Sequence, residues 1–131
     1  MKHRHPRLAR PIPFAQLVRE FRALWRRARV PARPLPSIVI DARMEAIHKR
    51  NARRYAEVDV RRRIFHFAPA VLWLPQTHRL GLLAHEIGHV IMDGRGTETD
   101  ADCAAFDDLD VVIEYDRRWP GRGVQRGRRA R

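Results

Sequence analysis

The sequence predicts a single α+β domain. Three observations carry that expectation: stretches near 13–28, 77–92 and 98–109 place apolar residues at helical spacing, and three short segments at 37–41, 55–60 and 63–67 are β-branched or alternate in polarity. The third is size, since 131 residues with 44% hydrophobic content suffice for one modest core. The expected organisation is a basic flexible arm over 1–12, the folded domain over 13–118, and a basic disordered tail over 119–131.

The first element follows the arm "MKHRHPRLARPI", which is basic and punctuated by proline. From Pro13 onward, Phe14, Leu17, Val18, Phe21, Leu24, Trp25 and Ala28 share one face, with Arg19, Arg22, Arg26 and Arg29 mostly on the other. Pro13 suits a first helical position and "VPARPLP" ends the run. The pattern predicts an N-terminal packing helix of about four turns.

Next, "SIVID" (Ser37 to Asp41) reads as a β-branched strand. The stretch after it is ambiguous until Tyr55–Val60 and Arg63–Phe67, which alternate and predict a hairpin, although "DVRRR" between them carries no strong turn signal. Pro69 and Pro75 then punctuate the approach to a second long helix, expected from about Thr77 through Met92, with "DGRGT" as its exit. A third helix opens at "TETD", where Thr97 can cap and Asp100 sits at capping-box distance, and runs to about Leu109. "VVIEY" adds a strand or a helical turn, and "DRRWPGRGVQRGRRAR" is expected to be disordered after Trp119.

Charge is unevenly placed. Lys plus Arg number 27 against 15 Asp plus Glu, a net of +12, which suggests an anionic partner. Residues 1–63 hold 18 bases and 5 acids, 64–116 hold 2 and 10, and 117–131 hold 7 and 0, so the centre is acidic between basic arms. Cys103 is the sole cysteine, which excludes an intrachain disulfide and suits a reducing compartment. No apolar run reaches the roughly 18 residues of a membrane span. Arg19, Glu20 and Arg22 interrupt any signal-peptide core, so a cytoplasmic location without membrane association is expected.

The chemistry concentrates in "LLAHEIGHVIMDG", Leu82 to Gly94. On a helix, residues four apart stack on one face, so His85 and His89 can direct two imidazoles at one ion. Glu86 is rotated by roughly 100° and is suited to a metal-activated water, which is the division of labour that H-E-x-x-H encodes. A catalytic zinc needs a third protein ligand and an open position.

Histidine cannot supply that third ligand downstream, because the seven histidines are at 3, 5, 48, 66, 78, 85 and 89. His78 lies seven residues before His85, about 10 Å along the helix. A carboxylate on the third helix remains. In "TETDADCAAFDDL", Glu98 and Asp102 share a face, with Ala101, Ala105 and Leu109 flanking it as small or apolar packing. If Glu98 binds zinc, Asp102 can accept the second ring N–H of a ligating histidine; Asp100 and Asp102 are the reserve ligands.

"LLAHEIGHVIMDG" followed by "ETDADCAA" resembles the H-E-x-x-H … E-x-x-A-[ND]-x-x-A signature of small gluzincin metallopeptidases, particularly the ImmA/IrrE type, over about Leu80 to Phe106. The resemblance implies a minimal zincin-like domain: a short sheet, an active-site helix, a following ligand-bearing helix, and an edge strand along the cleft, for which "RIFHF" is the candidate. It further implies His85, His89 and Glu98 as zinc ligands, Glu86 as catalytic base, and protein substrates for a regulatory protease. "GTETD" also resembles the Gly-Thr-x-Asp neighbourhood of aspzincins with spacing off by one, which keeps Asp100 as an alternative ligand.

The expected function is therefore a zinc-dependent metallopeptidase acting on proteins or peptides. Tyr55, His66 and Tyr115 are the candidates for oxyanion or substrate contacts. The competing reading is a basic nucleic-acid-binding protein, contacting phosphates through its arms, in which the metal only holds the fold.

Overall fold

The computed structural model describes residues 7–50, 54–111, 113–115 and 125–127. The chain is a mixed α+β protein. Among the described residues it has four α-helices, a three-stranded sheet and a separate two-stranded ribbon.

Helix α1 (Phe14–Trp25) starts one residue later than expected, with Pro13 as its N-cap and not its first helical residue, and buries Leu17, Phe21 and Leu24. It stops short of Ala28 because the N–H groups of Arg27 and Ala28 turn to carbonyls three residues back, Leu24 and Trp25. Strand β1 (Ser37–Ile40) follows, then α2 (Ala42–Arg50), which the sequence pattern leaves ambiguous. Only Met44 of α2 is fully buried, so its apolar stripe is nearly silent. Its start is nonetheless marked, since Asp41 Oδ1 accepts the N–H of Arg43 at 2.9 Å.

Strands β2 (Ala56–Asp59) and β3 (Ile64–Phe67) form the expected antiparallel hairpin, with Glu57 opposite His66 and Val58 opposite Phe65. Its turn rests on Asp59, whose Oδ1 accepts the N–H of Arg62, and on Arg63 in the left-handed region at φ 55°. The sheet order is β1-β3-β2, with β1 parallel to β3. "RIFHF", expected as the cleft edge, is thus the middle strand, with both backbone edges occupied. Among the described residues, the unpaired sheet edge nearer the long helix belongs to β2, which contacts that helix.

Phe65 and Phe67 are buried while Ile64 and His66 are half-buried, so one sheet face makes core and the other does not. The Phe65 ring meets Phe21 edge-on at 4.8 Å and Trp25 at 6.1 Å, which ties α1 to the sheet. Full burial of each such side chain contributes roughly 1.5–3 kcal/mol. A 3-10 turn (Pro69–Trp73) leads into α3 (Gln76–Ile91), whose residues from His78 to Gly88 are all buried. Arg79 of α3 is buried against Glu20 of α1 through two contacts of 2.8 and 2.7 Å, and its Nη1 donates to the Leu74 carbonyl at 2.6 Å. The acidic partner keeps that cation tolerable in the interior.

Helix α4 (Glu98–Leu109) begins where the sequence predicts. Strands β4 (Ile113–Tyr115) and β5 (Gln125–Gly127) pair antiparallel, and β5 packs on α3. Ordered contacts are also made on either side of the expected domain, 13–118. At the start, the N–H groups of Leu8 and Ile12 donate to Trp73 and Leu72 carbonyls at 2.8 Å each, and the Arg7 guanidinium sits 4.1 Å from the Trp73 ring centre. Arg7–Ile12 lies against the 3-10 turn through two backbone hydrogen bonds and a cation–π contact. At the end, β5 lies within the segment expected to be disordered, because pairing with β4 satisfies its backbone; the remainder of 116–131 and residues 1–6 lie outside the described residues.

Candidate metal centre

The centre is built by a turn that reverses the chain between α3 and α4. At the end of α3, Asp93 and Gly94 adopt φ of 54° and 73°, and the Gly94 N–H returns to the His89 carbonyl at 2.8 Å. Gly96 also has positive φ, at 79°. Thr97 then starts α4 with a full capping box: its hydroxyl accepts the Asp100 N–H, and Asp100 Oδ2 accepts the Thr97 N–H at 2.7 Å and its hydroxyl at 3.1 Å. The carboxylate of Asp100 is committed to the cap. It is not brought to the histidines.

Across the two helices His89 meets Glu98, and His85 meets both Glu98 and Asp102. Rising numbers on α4 pair with falling numbers on α3, so the helices form an antiparallel hairpin. The close approach occurs at Gly88, where an added Cβ would lie 2.2 Å from the Ala101 carbonyl oxygen. Only glycine lets the backbones meet there. Ala101 and Ala105, both fully buried, complete the small-residue seam.

The side chains converge as follows. Nε2 of His89 is 3.2 Å from Nε2 of His85 and 3.2 Å from Oε2 of Glu98, while His85 Nε2 and Glu98 Oε2 are 2.5 Å apart. Among the described residues His85, His89 and Glu98 are the group of three whose donor atoms can share one ion. Ligands about 2.0–2.1 Å from a tetrahedral zinc stand about 3.3 Å from each other, so two of the three separations already fit. The third is that of a direct hydrogen bond. Two imidazoles and a carboxylate are a zinc donor set, and the residues fit the ion.

The Oδ1 of Asp102 lies 2.6 Å from His85 Nδ1. That contact fixes the ring so that Nδ1 carries the proton and Nε2 points to the cluster. Burial disfavours a charged His85, but the Asp102 bond and the charges of Glu86, Asp102 and Glu98 outweigh it and raise its pKa to about 9. Burial likewise works against Glu98 as an anion, yet His85 and His89 hold its carboxyl below the usual range. The Glu98 side chain is 43% exposed, whereas that of His85 is 5% exposed, so the cluster opens to solvent on its Glu98 side.

Glu86 is only 8% exposed, and burial pushes its carboxyl up, against the opposing influence of His85 and His89. No hydrogen bond to that carboxylate is made within the described residues. Taking a carboxylate out of water costs free energy, and that cost is what raises its pKa.

The remaining candidates lie elsewhere. His66 sits on the sheet face away from the core, and its Nδ1 is 3.1 Å from Asp41 Oδ2, so strand alternation turns it from α3. Tyr55 is buried with its ring 4.3 Å from that of His48, and lines a groove of about 330 Å³ with Arg7, Glu45 and Trp73, which none of the three clustered residues lines. Burial raises its phenol pKa. The side chain of Tyr115 lies outside the described residues. Cys103 is exposed and takes no part. No described helix is long and apolar enough to cross a membrane. No protein-family model matches the chain, and no curated protein or solved structure does so either.

Proposed function

We propose that the chain is a zinc-dependent metallopeptidase of the small zincin-like kind, acting on protein or peptide substrates in a regulatory role. The observation that carries this reading is the His85 ring: Asp102 holds one nitrogen, His89 and Glu98 cluster at the other, and buried Glu86 is the next residue along. His85, His89 and Glu98 would hold the ion. Zinc bound there would acidify water and polarise a carbonyl.

The chain's own residues account for the proton chemistry. Glu86 accepts the proton of the attacking water and passes it to the leaving amine; its raised pKa, caused by burial, moves it toward the range useful to a general base. Asp102 keeps His85 in one tautomer. The free edge of β2 beside α3 offers backbone groups to an extended peptide.

A purely structural metal explains less. Such sites are closed by four protein ligands, whereas the described residues bring together three, and the buried Glu86 would have no purpose. The test is hydrolysis of unfolded and repressor-like proteins by the zinc-loaded chain, with and without chelator, beside Glu86→Gln. Cleavage that chelator abolishes and Glu86→Gln lacks is the expected result; cleavage surviving both would sink the mechanism.

A further inference from the structure

We infer that the outer face of α1 is a nucleic-acid-binding surface that grips the phosphate backbone. Arg19, Arg22 and Arg26 are exposed and, at 100° per residue, fall within an arc of about 60° on the helix and its C-cap. Arg29 is exposed in the turn immediately beyond. None of these four guanidinium groups makes an ion pair or a hydrogen bond within the described residues. Neighbouring arginines behave differently: Arg27 donates to the Leu109 carbonyl at 2.9 Å, Arg63 to Pro31 and Pro34, and Arg79 to Glu20.

The stripe is not neutralised by its own element. Glu20 is the sole acid of α1, and it is turned inward to Arg79, leaving its side chain 10% exposed. A carboxylate of α4, Asp108, accepts the backbone N–H of Arg29 at 3.1 Å through its Oδ2, which leaves the guanidinium free. Attraction to the helix C-terminus explains bases at Arg22 and Arg26. It does not explain Arg19, or why all four are left unpaired.

Nucleic acid is the anion that fits. From Arg19 to Arg26 the helix rises about 10 Å, and one duplex strand presents a phosphate every 3.4 Å along its axis, so three to four phosphates face the stripe. A membrane surface fits less well, because the apolar side of α1 (Leu17, Phe21, Leu24) is buried in the core and cannot insert. No base-reading geometry is visible, so binding should be indifferent to sequence.

The test compares two variants of the full chain with equal net charge: R19Q/R22Q/R26Q/R29Q, and a control R10Q/R61Q/R62Q/R95Q drawn from exposed arginines elsewhere. Affinity for a mixed-sequence 20-base-pair DNA duplex is measured across a salt series, with circular dichroism to confirm folding. Each phosphate contact contributes about 0.9 to the slope of log affinity against log salt, so the stripe variant should lower it by about 3 to 4 and the control by less than 1. Equal losses in the two variants, or no loss in either, would overturn the assignment. So would equal affinity for phosphatidylserine vesicles at the same salt.

Discussion

His85 Nδ1 and Asp102 Oδ1 lie 2.6 Å apart across the α3–α4 seam, and this contact orients a ring whose other nitrogen meets Glu98 and His89. Asp102→Ala should therefore weaken zinc binding by about 10- to 100-fold without removing a ligand. Competition titration with a chromophoric chelator reads this directly. Unchanged affinity would make Asp102 a packing residue only.

The same contact sets a pH dependence. In the metal-free protein the pKa of His85 is raised to about 9 from an ordinary 6.5, so its stabilising charge is fully present below pH 6.5 and is lost as pH rises through 9. Zinc must displace that proton. Affinity should climb by about tenfold per pH unit toward pH 9, with release of about one proton per ion at pH 7. Calorimetry in buffers of different ionisation enthalpy measures the release, and a value near zero contradicts the assignment.

Gly88→Ala would place a Cβ 2.2 Å from the Ala101 carbonyl oxygen, and backbone on both sides leaves nothing flexible to give way. Separating the helices should cost about 1–3 kcal/mol and draw Glu98 away from the histidines. Urea unfolding of the metal-free chain and zinc affinity should fall together. Stability lost with affinity intact would uncouple the seam from the site.

Arg79→Met leaves Glu20 without its cation in a nearly buried position. Removing one partner of a buried pair costs about 3–5 kcal/mol. The double change with Glu20→Leu should recover most of it, as measured by denaturant midpoints. Equal losses in the single and double variants would mean that the pair itself supplies the stability.

Much of the architecture is legible because its signals are local. Thr97 and Asp100 announce the start of α4, and Pro13 that of α1, since capping and ring geometry act within a single turn. His85, His89 and Glu98 are legible because helical spacing fixes two of them and the absence of a later histidine points to a carboxylate. What is not legible is long-range. The parallel pairing of β1 with β3 makes "RIFHF" central, and nothing in its alternation reveals which strands flank it. His66 likewise alternates correctly but faces away. Gly88 occupies a free position of the H-E-x-x-H pattern, so its role appears only when Ala101 is seen against it. The backbone contacts of Arg7–Ile12 depend on the carbonyls of Leu72 and Trp73, far along the chain.

The most direct test of the centre is X-ray absorption at the zinc edge on the full chain after loading, for wild type and Glu98→Ala. The expected wild-type spectrum has two imidazole nitrogens and oxygen neighbours at about 2.0–2.2 Å with no sulfur, and Glu98→Ala should bind zinc more weakly with one oxygen ligand exchanged. A sulfur shell at about 2.3 Å, or an unchanged spectrum and affinity in Glu98→Ala, would contradict the account.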